Sequence, residues 1–540
     1  MNQKMTNRIW IYDTTLRDGA QREGLSLSLE DKLQIARQLD QLGIPFIEGG
    51  WPGANPKDVQ FFWRLKEEPL SQAEVVAFCS TRRPGVRASE DKMLQAILSA
   101  GTRWVTIFGK SWDLHVTAGL KTSLEENLAM IRETVEFLIA QGRRVMYDAE
   151  HWFDGYKQNP EYAISTLKAA IAGGAEWLVL CDTNGGTLPH EISEIVGRVK
   201  SAIGSPGSGP DLPQLGIHTH NDSETAVANA LAAVLEGARM VQGTINGYGE
   251  RCGNANLCSV IPNLQLKLGF DCIQHSQLAK LTETSRFVSE VANLAPDEHK
   301  AYVGLSAFAH KGGIHVSAVS KNPLTYEHIS PELVGNQRRI VISDQAGLSN
   351  VLAKARSFGI NLDKGDSRCR QILERLKDLE NQGYQFEAAE ASFELLMRDA
   401  LGERDHFFDI KGFQVHCDLT GGNNSLATIK VAVNGKDILE AAEGNGPVSA
   451  LDAALRKALV NFYPQIAQFQ LADYKVRILD GGAGTAAKTR VLVESSNGSR
   501  RWTTVGVSAN IIEASYQAVV EGLEYGLILE KSAKVPAVVS

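Results

Sequence analysis

Short apolar segments alternate with segments of helical period over the first half of the chain. The apolar segments have the length and the β-branched and aromatic content of buried strands. Eight of them occur, at 9–16, 46–50, 75–79, 104–109, 144–150, 177–183, 215–222 and 240–249. Helical patterns lie between them, for example at 89–100, 123–141, 160–173, 190–203 and 223–236. Eight strands with intervening helices predict an α/β fold of the (β/α)8 TIM-barrel type.

The first predicted helix has clear end signals. Ser28 can cap its start together with Asp31, and Gly43 can end it. A doubly wound open sheet is the alternative fold. That fold usually carries a glycine-rich dinucleotide loop after the first strand, which this sequence lacks.

The pattern changes after the eighth predicted strand. Helical patterns at 277–292, 345–357, 367–380 and 387–400 surround a predicted loop at 303–343. Beyond 403 the sequence is β-rich, and two Val-Ser-Ala triplets at 448–450 and 507–509 stand 59 residues apart. We therefore predict a catalytic barrel at 1–275, helical linker subdomains at 276–402, and a regulatory α/β domain of two β-β-α-type repeats at 403–540.

Composition limits the class of protein. The chain has 540 residues, 43% hydrophobic content and a net charge of -8, which argue for a multidomain globular protein without a nucleic-acid or membrane partner. Only eight residues precede the apolar run at Ile9, so no signal peptide is expected. The seven cysteines show no C-x-x-C pair, which favours reduced thiols and a cytoplasmic location.

The candidate chemistry begins with the seventh predicted strand. His218 and His220 are two residues apart, so they project from the same face of a strand and can hold a divalent metal. Two unrelated hydrogen-bonded histidines are the alternative. Asp18 can add an oxygen ligand, and this donor set suits Mg, Mn or Zn. In a barrel, the carboxyl ends of the strands carry the site, and polar residues follow strand after strand: Arg17, Asp18, Glu48, Glu150, Asp182, Thr183 and the segment 246–254.

Three motifs resemble one enzyme family. They are D-T-T-L-R-D-G-A-Q at 13–21, H-T-H-N-D at 218–222 and G-Y-G-E-R-C-G-N-A at 247–255, and they are similar to those of the 2-isopropylmalate, homocitrate and citramalate synthases. The resemblance implies a metal-dependent barrel that condenses acetyl-CoA with a 2-oxo acid.

The resemblance also implies roles for individual residues. Asp18, His218, His220 and Asn254 would hold the metal. Arg17, Gln21 and Thr183 would bind the 2-oxo acid, and the loop residues Gly247, Gly249, Glu250 and Asn254 would bind acetyl-CoA. Arg17, Glu150, His315 and Tyr326 would serve catalysis, the last two as a linker pair that reaches the active site of a partner subunit.

The acceptor is suggested by a further segment. E-G-G-W-P-G-A-N-P-K at 48–57 resembles the citramalate branch, which implies pyruvate as acceptor and (R)-citramalate as product. Ala20 stands where many relatives carry Glu. The alternatives are 2-oxoisovalerate as acceptor, giving 2-isopropylmalate for leucine biosynthesis, a carbon–carbon lyase on the same barrel, and an amino-acid sensor without catalysis. The resemblance further implies a homodimer or larger oligomer and feedback regulation by isoleucine, the end product of the pathway.

Overall fold

The structure is a computed structural model that describes residues 7–204, 212–417 and 424–533. It separates into two compact units. The barrel unit comprises Met1–Phe308 and His328–Arg338, and the C-terminal unit comprises Ala309–Glu327 and Arg339–Ser540. Among the described residues, no helix is both long enough and apolar enough to cross a membrane.

The barrel unit contains a closed barrel of eight parallel strands, which confirms the predicted fold class. The strands are β1 (Trp10–Asp13), β2 (Phe46–Gly50), β3 (Glu74–Ser80), β4 (Trp104–Lys110), β5 (Arg144–Glu150), β6 (Trp177–Asp182), β7 (Gln214–Thr219) and β8 (Met240–Gly243). Parallel pairing of β1 with β8 closes the barrel, with Trp10 opposite Met240.

Helices surround the barrel. They are α1 (Leu29–Leu42), α2 (Pro56–Glu67), α3 (Lys92–Ala100), α4 (Leu124–Ala140), α5 (Trp152–Gln158), α6 (Pro160–Gly173), α7 (Pro189–Ile203), α8 (Ala226–Glu236), α9 (Leu257–Pro262), α10 (His275–Leu278) and α11 (Leu281–Val291). The predicted ends of α1 are confirmed. Ser28 accepts from the Asp31 backbone N–H, the Asp31 carboxylate accepts from the Ser28 backbone N–H, and Gly43 ends the helix with φ 87°.

Four barrel strands end earlier than the apolar pattern predicted: β6 ends at Asp182 and β7 at Thr219, and β1 and β8 lose the most residues. β1 stops at Asp13 rather than at 16, because the Asp13 carboxylate accepts from the Thr15 backbone and hydroxyl and turns the chain. β8 stops at Gly243 rather than at 249, because Asn246 has φ 62° and Gly247 has φ 68°. Both apolar segments therefore end in turns at the mouth of the barrel, where their polar residues can face a ligand.

The predicted domain boundary after residue 275 stays a prediction. In the structure, residues 276–308 belong to the barrel unit. Helix α11 holds the loop after β8, since Asn246 Nδ2 donates to the Ser285 carbonyl at 2.8 Å and to Ser289 Oγ at 3.0 Å. Lys300 Nζ donates to the Asn246 carbonyl at 2.6 Å. The segment after the barrel therefore fixes the start of a loop at the mouth.

The C-terminal unit begins with helices and a short two-stranded sheet. The helices are α12 (Gly313–Lys321), α13 (Leu348–Ser357), α14 (Arg368–Gln382) and α15 (Glu390–Leu401), and the strands are β9 (Ala309–His310) and β10 (Arg339–Ile340). The predicted loop at 303–343 therefore contains a helix. Val316 and Val319 are buried at helical spacing, a signal that the flanking Gly312-Gly313 and Pro323 had hidden.

The repeats of the C-terminal unit are larger than predicted. Each has three antiparallel strands and one helix, β11 (Asp409–Cys417), β12 (Ser425–Val433), β13 (Lys436–Gly444) and α16 (Pro447–Leu459), then β14 (Gln470–Ile478), β15 (Thr489–Ser496), β16 (Arg501–Ser508) and α17 (Ile511–Ala533). The β-β-α description missed β11 and β14 because their apolar residues are interspersed with polar ones and form no continuous apolar run, and most of their residues are exposed. The structural repeat is 64 residues, from the starts of α16 and α17, so the triplets 59 apart occupy different elements.

Candidate active site

A carboxylate and two imidazoles meet at the mouth of the barrel. Asp18 lies in the turn after β1, His218 is on β7, and His220 follows it. Asp18 Oδ2 is 3.2 Å from His218 Nε2 and 3.9 Å from His220 Nε2, and the two Nε2 atoms are 3.3 Å apart. All three residues are at most 5% exposed. Their ligand atoms therefore converge on one point in a protected environment.

The surroundings hold two of these three groups, the Asp18 carboxylate and the His220 imidazole, in forms that suit a cation. Burial alone would raise the pKa of Asp18, but the Arg17 guanidinium and the His218 hydrogen bond hold it well below its usual value. Burial and the neighbouring His218 lower the pKa of His220 to about 3, so this imidazole is neutral. Burial alone would lower the pKa of His218, but Asp18 outweighs it and raises that pKa. A metal bound at His218 Nε2 would take the place of the proton that the raised pKa of His218 favours there.

Asn254 extends the donor set. Its side-chain Oδ1 and Nδ2 atoms are buried and lack a hydrogen-bond partner among the described residues, although buried amides are normally satisfied. Its backbone pairs with His220 in an isolated bridge. Gly249 has φ 153°, and a Cβ there would come within 2.8 Å of Asn254 Nδ2. The glycine therefore leaves room for the amide.

The residues present fit a divalent metal. Two imidazole nitrogens, one carboxylate oxygen and an unsatisfied amide oxygen form a mixed N/O donor set, which suits several divalent ions. His218 Nδ1 is bonded to Gln242 Oε1 at 2.7 Å, which leaves Nε2 as the ligand atom. The converging ligand atoms belong to Asp18, His218 and His220, and the assignment of Asn254 as a fourth ligand stays a prediction.

Arg17 stands beside the donor set in a rigid frame. Its Nε donates to Glu48 Oε1 at 2.5 Å, and its guanidinium lies 3.8 Å from the centre of the Phe78 ring. Tyr12 donates from its hydroxyl to Glu48 Oε2 at 2.7 Å, so both oxygens of this fully buried carboxylate are engaged. Arg17 thus presents a fixed positive charge to the cavity.

The far side of the mouth carries Glu150 and Thr183. Glu150 accepts from Lys110 Nζ, a partner that the sequence had not suggested. Thr183 Oγ1 accepts from the His151 backbone N–H at 2.8 Å, and the Thr183 carbonyl accepts from Arg251 Nη2 at 2.6 Å. The Thr183 hydroxyl therefore keeps its proton available for a ligand.

A cavity of about 240 Å³ joins these residues. One wall is aromatic: the Phe78 and Phe108 rings stack with centroids 5.2 Å apart, and Trp51 meets them edge-on at 5.9 and 5.5 Å. The residues that line the cavity are Arg17, Asp18, Gln21, Trp51, Phe78, Phe108, Asp148, Glu150, Cys181, Thr183, His218, His220, Glu250 and Arg251. A polar floor beside an aromatic wall suits a small acid with a short apolar end.

Most predicted site residues gather at this cavity. Gly247 (φ 68°) and Gly249 shape the loop after β8, and Glu250 lies on the cavity rim. His315 and Tyr326 belong to the C-terminal unit, where their ring centroids are 4.3 Å apart and both side chains are exposed. The sequence missed Asp148, Gln242 and Lys110. Alternation from Glu150 would have placed Asp148 on the same face of β5, whereas Gln242 and Lys110 gave no signal.

The fold and the donor set define a barrel enzyme of the divalent-metal-dependent type. Three family models match successive parts of the chain: HMGL-like over residues 8–288, the homocitrate synthase post-HMGL domain-like family over 302–384, and the LeuA allosteric (dimerisation) domain over 387–527.

Relatives match nearly the whole chain. An (R)-citramalate synthase of Synechocystis sp. is 74% identical over 96% of both chains. Another from Aquifex aeolicus is 56% identical over 98% of this chain and 99% of its own. A 2-isopropylmalate synthase of Methanocaldococcus jannaschii is 32% identical over 97% of this chain and 95% of its own. The chain belongs to the HMGL-like family and, within it, to the family of the (R)-citramalate synthases.

The donor set makes a direct prediction about metal binding. Replacing His218→Ala removes a ligand, so Mn²⁺ affinity should fall by more than the roughly 10–100-fold that the loss of a supporting hydrogen bond causes. Electron paramagnetic resonance of free Mn²⁺ measures this affinity. His190→Ala, which changes an exposed histidine on α7, is the matched control and should bind Mn²⁺ normally. Equal binding by both variants would show that the metal lies elsewhere.

Proposed function

We propose that this protein condenses acetyl-CoA with pyruvate and hydrolyses the thioester, forming (R)-citramalate for isoleucine biosynthesis. The single observation that carries the proposal is a small cavity that is lined by the metal donors Asp18, His218 and His220, by Arg17 and Thr183, and on one side by aromatic rings. The relatives agree, since five (R)-citramalate synthases are 47–74% identical over at least 96% of the chain. The 2-isopropylmalate synthase of M. jannaschii is more distant at 32%.

The acceptor binds at the donor set. Asp18, His218, His220 and Asn254 hold a divalent metal, which when bound supplies Lewis-acid polarisation of the 2-oxo acid carbonyl. Thr183 donates its free hydroxyl proton to the acceptor carboxylate, with Gln21 beside it on the cavity lining. The apolar methyl group of pyruvate then faces Trp51, Phe78 and Phe108.

Arg17 stabilises the charge that develops during carbon–carbon bond formation. The acceptor carbonyl oxygen becomes an alkoxide when the acetyl carbon attacks, and a fixed cation nearby lowers the energy of that state. Glu48 and the Phe78 ring hold the guanidinium in place. Because the Arg17 guanidinium is already in place, it does not need to move during the reaction and can stabilise the transition state directly.

Acetyl-CoA approaches over the loop after β8. Gly247 and Gly249 bring backbone close to the mouth, Glu250 lies on the rim, and Asn254 follows. Glu150 supports the site from its ion pair with Lys110. We propose that the exposed pair of His315 and Tyr326, acting from a partner subunit, carries out the proton transfer from the acetyl methyl group. Water then hydrolyses the thioester.

The C-terminal unit provides regulation in this proposal. The match to the LeuA allosteric (dimerisation) domain over 387–527 supports an oligomer with an effector site. Isoleucine is the proposed effector because it is the end product that pyruvate-derived citramalate leads to, and a homodimer is the proposed minimum assembly. We place the protein in the cytoplasm, where its seven free cysteines would stay reduced.

The acceptor is tested by measuring release of free CoA from acetyl-CoA. Pyruvate, 2-oxoisovalerate and 2-oxoglutarate are supplied separately to metal-loaded protein. We expect the kcat/KM for pyruvate to exceed that for 2-oxoisovalerate by at least about tenfold, since a small apolar difference in a pocket contributes roughly 1–3 kcal/mol. A preference for 2-oxoisovalerate would overturn the proposal in favour of 2-isopropylmalate synthesis.

The aromatic wall makes a second prediction. Trp51→Ala enlarges the cavity, so the ratio of kcat/KM for 2-oxoisovalerate to that for pyruvate should rise by about 10–200-fold. Trp63→Ala is the matched control because Trp63 is 54% exposed on α2, outside the cavity lining. Steady-state kinetics with both acceptors measures the ratio. An unchanged ratio in Trp51→Ala would remove this wall from the specificity pocket.

The effector is tested by titration calorimetry and rate measurements with the full chain. L-Isoleucine should bind and lower the rate, while L-leucine and D-isoleucine at the same concentration should leave the rate unchanged. Light scattering of the same samples should report a dimer or larger assembly. Inhibition by leucine and not by isoleucine would contradict the proposed pathway.

A further inference from the structure

We propose that Gln242 and Asp148 are positioning residues that fix the ring orientation and the tautomer of His218 in the barrel interior. His218 Nδ1 lies 2.7 Å from Gln242 Oε1, and Gln242 Nε2 lies 3.0 Å from Asp148 Oδ1. The three side chains, on β7, β8 and β5, form a hydrogen-bonded chain. The inference rests on the metal site proposed above and assigns roles to two residues that are not among its ligands.

The hydrogen-bonded chain from His218 through Gln242 to Asp148 runs in one donor-to-acceptor direction, and Asp148 at its far end determines that direction. In its ionised form Asp148 can only accept, and the Gln242 amide nitrogen donates to Asp148 Oδ1 at 3.0 Å. The amide oxygen then faces His218, and an oxygen can only accept. His218 must therefore carry a proton on Nδ1, which leaves Nε2 to face Asp18 and His220. A carboxylate on β5 thus sets the ligand atom of a histidine on β7.

Burial makes this chain rigid. Gln242 is 0% exposed and Asp148 is 3% exposed, so water does not compete for the hydrogen bonds. A reversed Gln242 amide would place its nitrogen against His218 and its oxygen against an acceptor, which leaves buried polar atoms unsatisfied. The amide orientation is therefore strongly selected.

Charge explains why a neutral amide stands between the two. Asp18, Glu48 and Asp148 already place three carboxyl groups in this buried region, and burial, followed by the nearby Glu48 carboxylate, raises the pKa of Asp148 to about 7. A carboxylate at 242 would hold His218 equally well but would add a fourth charge next to Asp148. The Gln242 amide links Asp148 to His218 and fixes the His218 ring without adding a negative charge.

Exchanging the hydrogen-bond donor and acceptor groups of Gln242 and Asp148 tests this hydrogen-bonded chain. Asp148→Asn offers Gln242 an amide that can either donate or accept, so the chain loses its direction. Gln242→Glu keeps an acceptor for His218 but sets two carboxyl groups against each other. The double variant Asp148→Asn/Gln242→Glu restores a donor facing an acceptor, with the asparagine amide nitrogen donating to the glutamate and the glutamate accepting from His218.

The measurement is Mn²⁺ affinity of the full chain, from the electron paramagnetic resonance signal of the free ion. Each single variant should weaken Mn²⁺ binding by about 10–100-fold, and the double variant should return to within about threefold of the original protein. The thermal unfolding midpoint of all four proteins shows which of them are folded. A general packing defect would make the double variant as weak as the single variants or weaker.

The outcomes separate this inference from the proposed function. Failure of the double variant to recover, with a normal unfolding midpoint, would overturn the positioning chain, and so would single variants that bind Mn²⁺ normally. If the unchanged protein binds no Mn²⁺, the metal site itself fails. If it binds Mn²⁺ but does not release CoA with pyruvate, the proposed acceptor fails while the positioning chain stands.

Discussion

The need to compensate a buried carboxylate organises the centre of this molecule. Asp18 is 4% exposed and lies against two imidazoles and a guanidinium. A carboxylate in such a place is costly unless cationic or hydrogen-bonding groups surround it. The surrounding groups come from β1 and β7, about 200 residues apart in sequence, which only the closed barrel brings together. The same convergence creates the donor set for a metal.

A set of supporting residues holds the side chains that line the site in place. Glu48 and Tyr12 hold Arg17, Gln242 and Asp148 hold His218, and Gly249 leaves space for Asn254. These supporting residues lie on β1, β2, β5 and β8 or in the loop after β8. The barrel therefore acts as a frame that sets both the positions and the protonation states of these groups, and in the proposed function the aromatic wall limits the size of the acceptor.

The sequence predicted the barrel and the mouth of the site because both depend on local pattern. Apolar segments predicted the eight strands and placed Thr183 at the end of the sixth, and spaced motifs placed Asp18 and His218 at strand ends. Supporting residues were harder to find. Gln242 is one polar residue inside an apolar strand, and its role depends on Asp148, which lies on another strand and far away in sequence. Nothing in the sequence distinguishes Lys110 from other lysines at strand ends, and only the structure shows its ion pair with Glu150.

The same limit applied to the C-terminal unit. Strands β11 and β14 are mostly exposed edge strands in which apolar and polar residues are mixed, so no apolar run marked them. Helix α12 was hidden by neighbouring glycine and proline. Repeated short sequences also misled, since the Val-Ser-Ala triplets lie at the start of α16 and at the end of β16. Element identity in such a unit follows from long-range strand pairing, which local sequence does not report.

The central claim is that the acceptor binds directly beside the metal held by Asp18, His218 and His220. Paramagnetic broadening tests it most directly, because Mn²⁺ in the site would broaden the carbon resonances of ¹³C-labelled pyruvate bound next to it. The account predicts strong broadening with the unchanged protein, reversed by excess Mg²⁺, and none with Asp18→Asn. Broadening of the same size with Asp18→Asn, or none with Mn²⁺-loaded unchanged protein, would contradict the account.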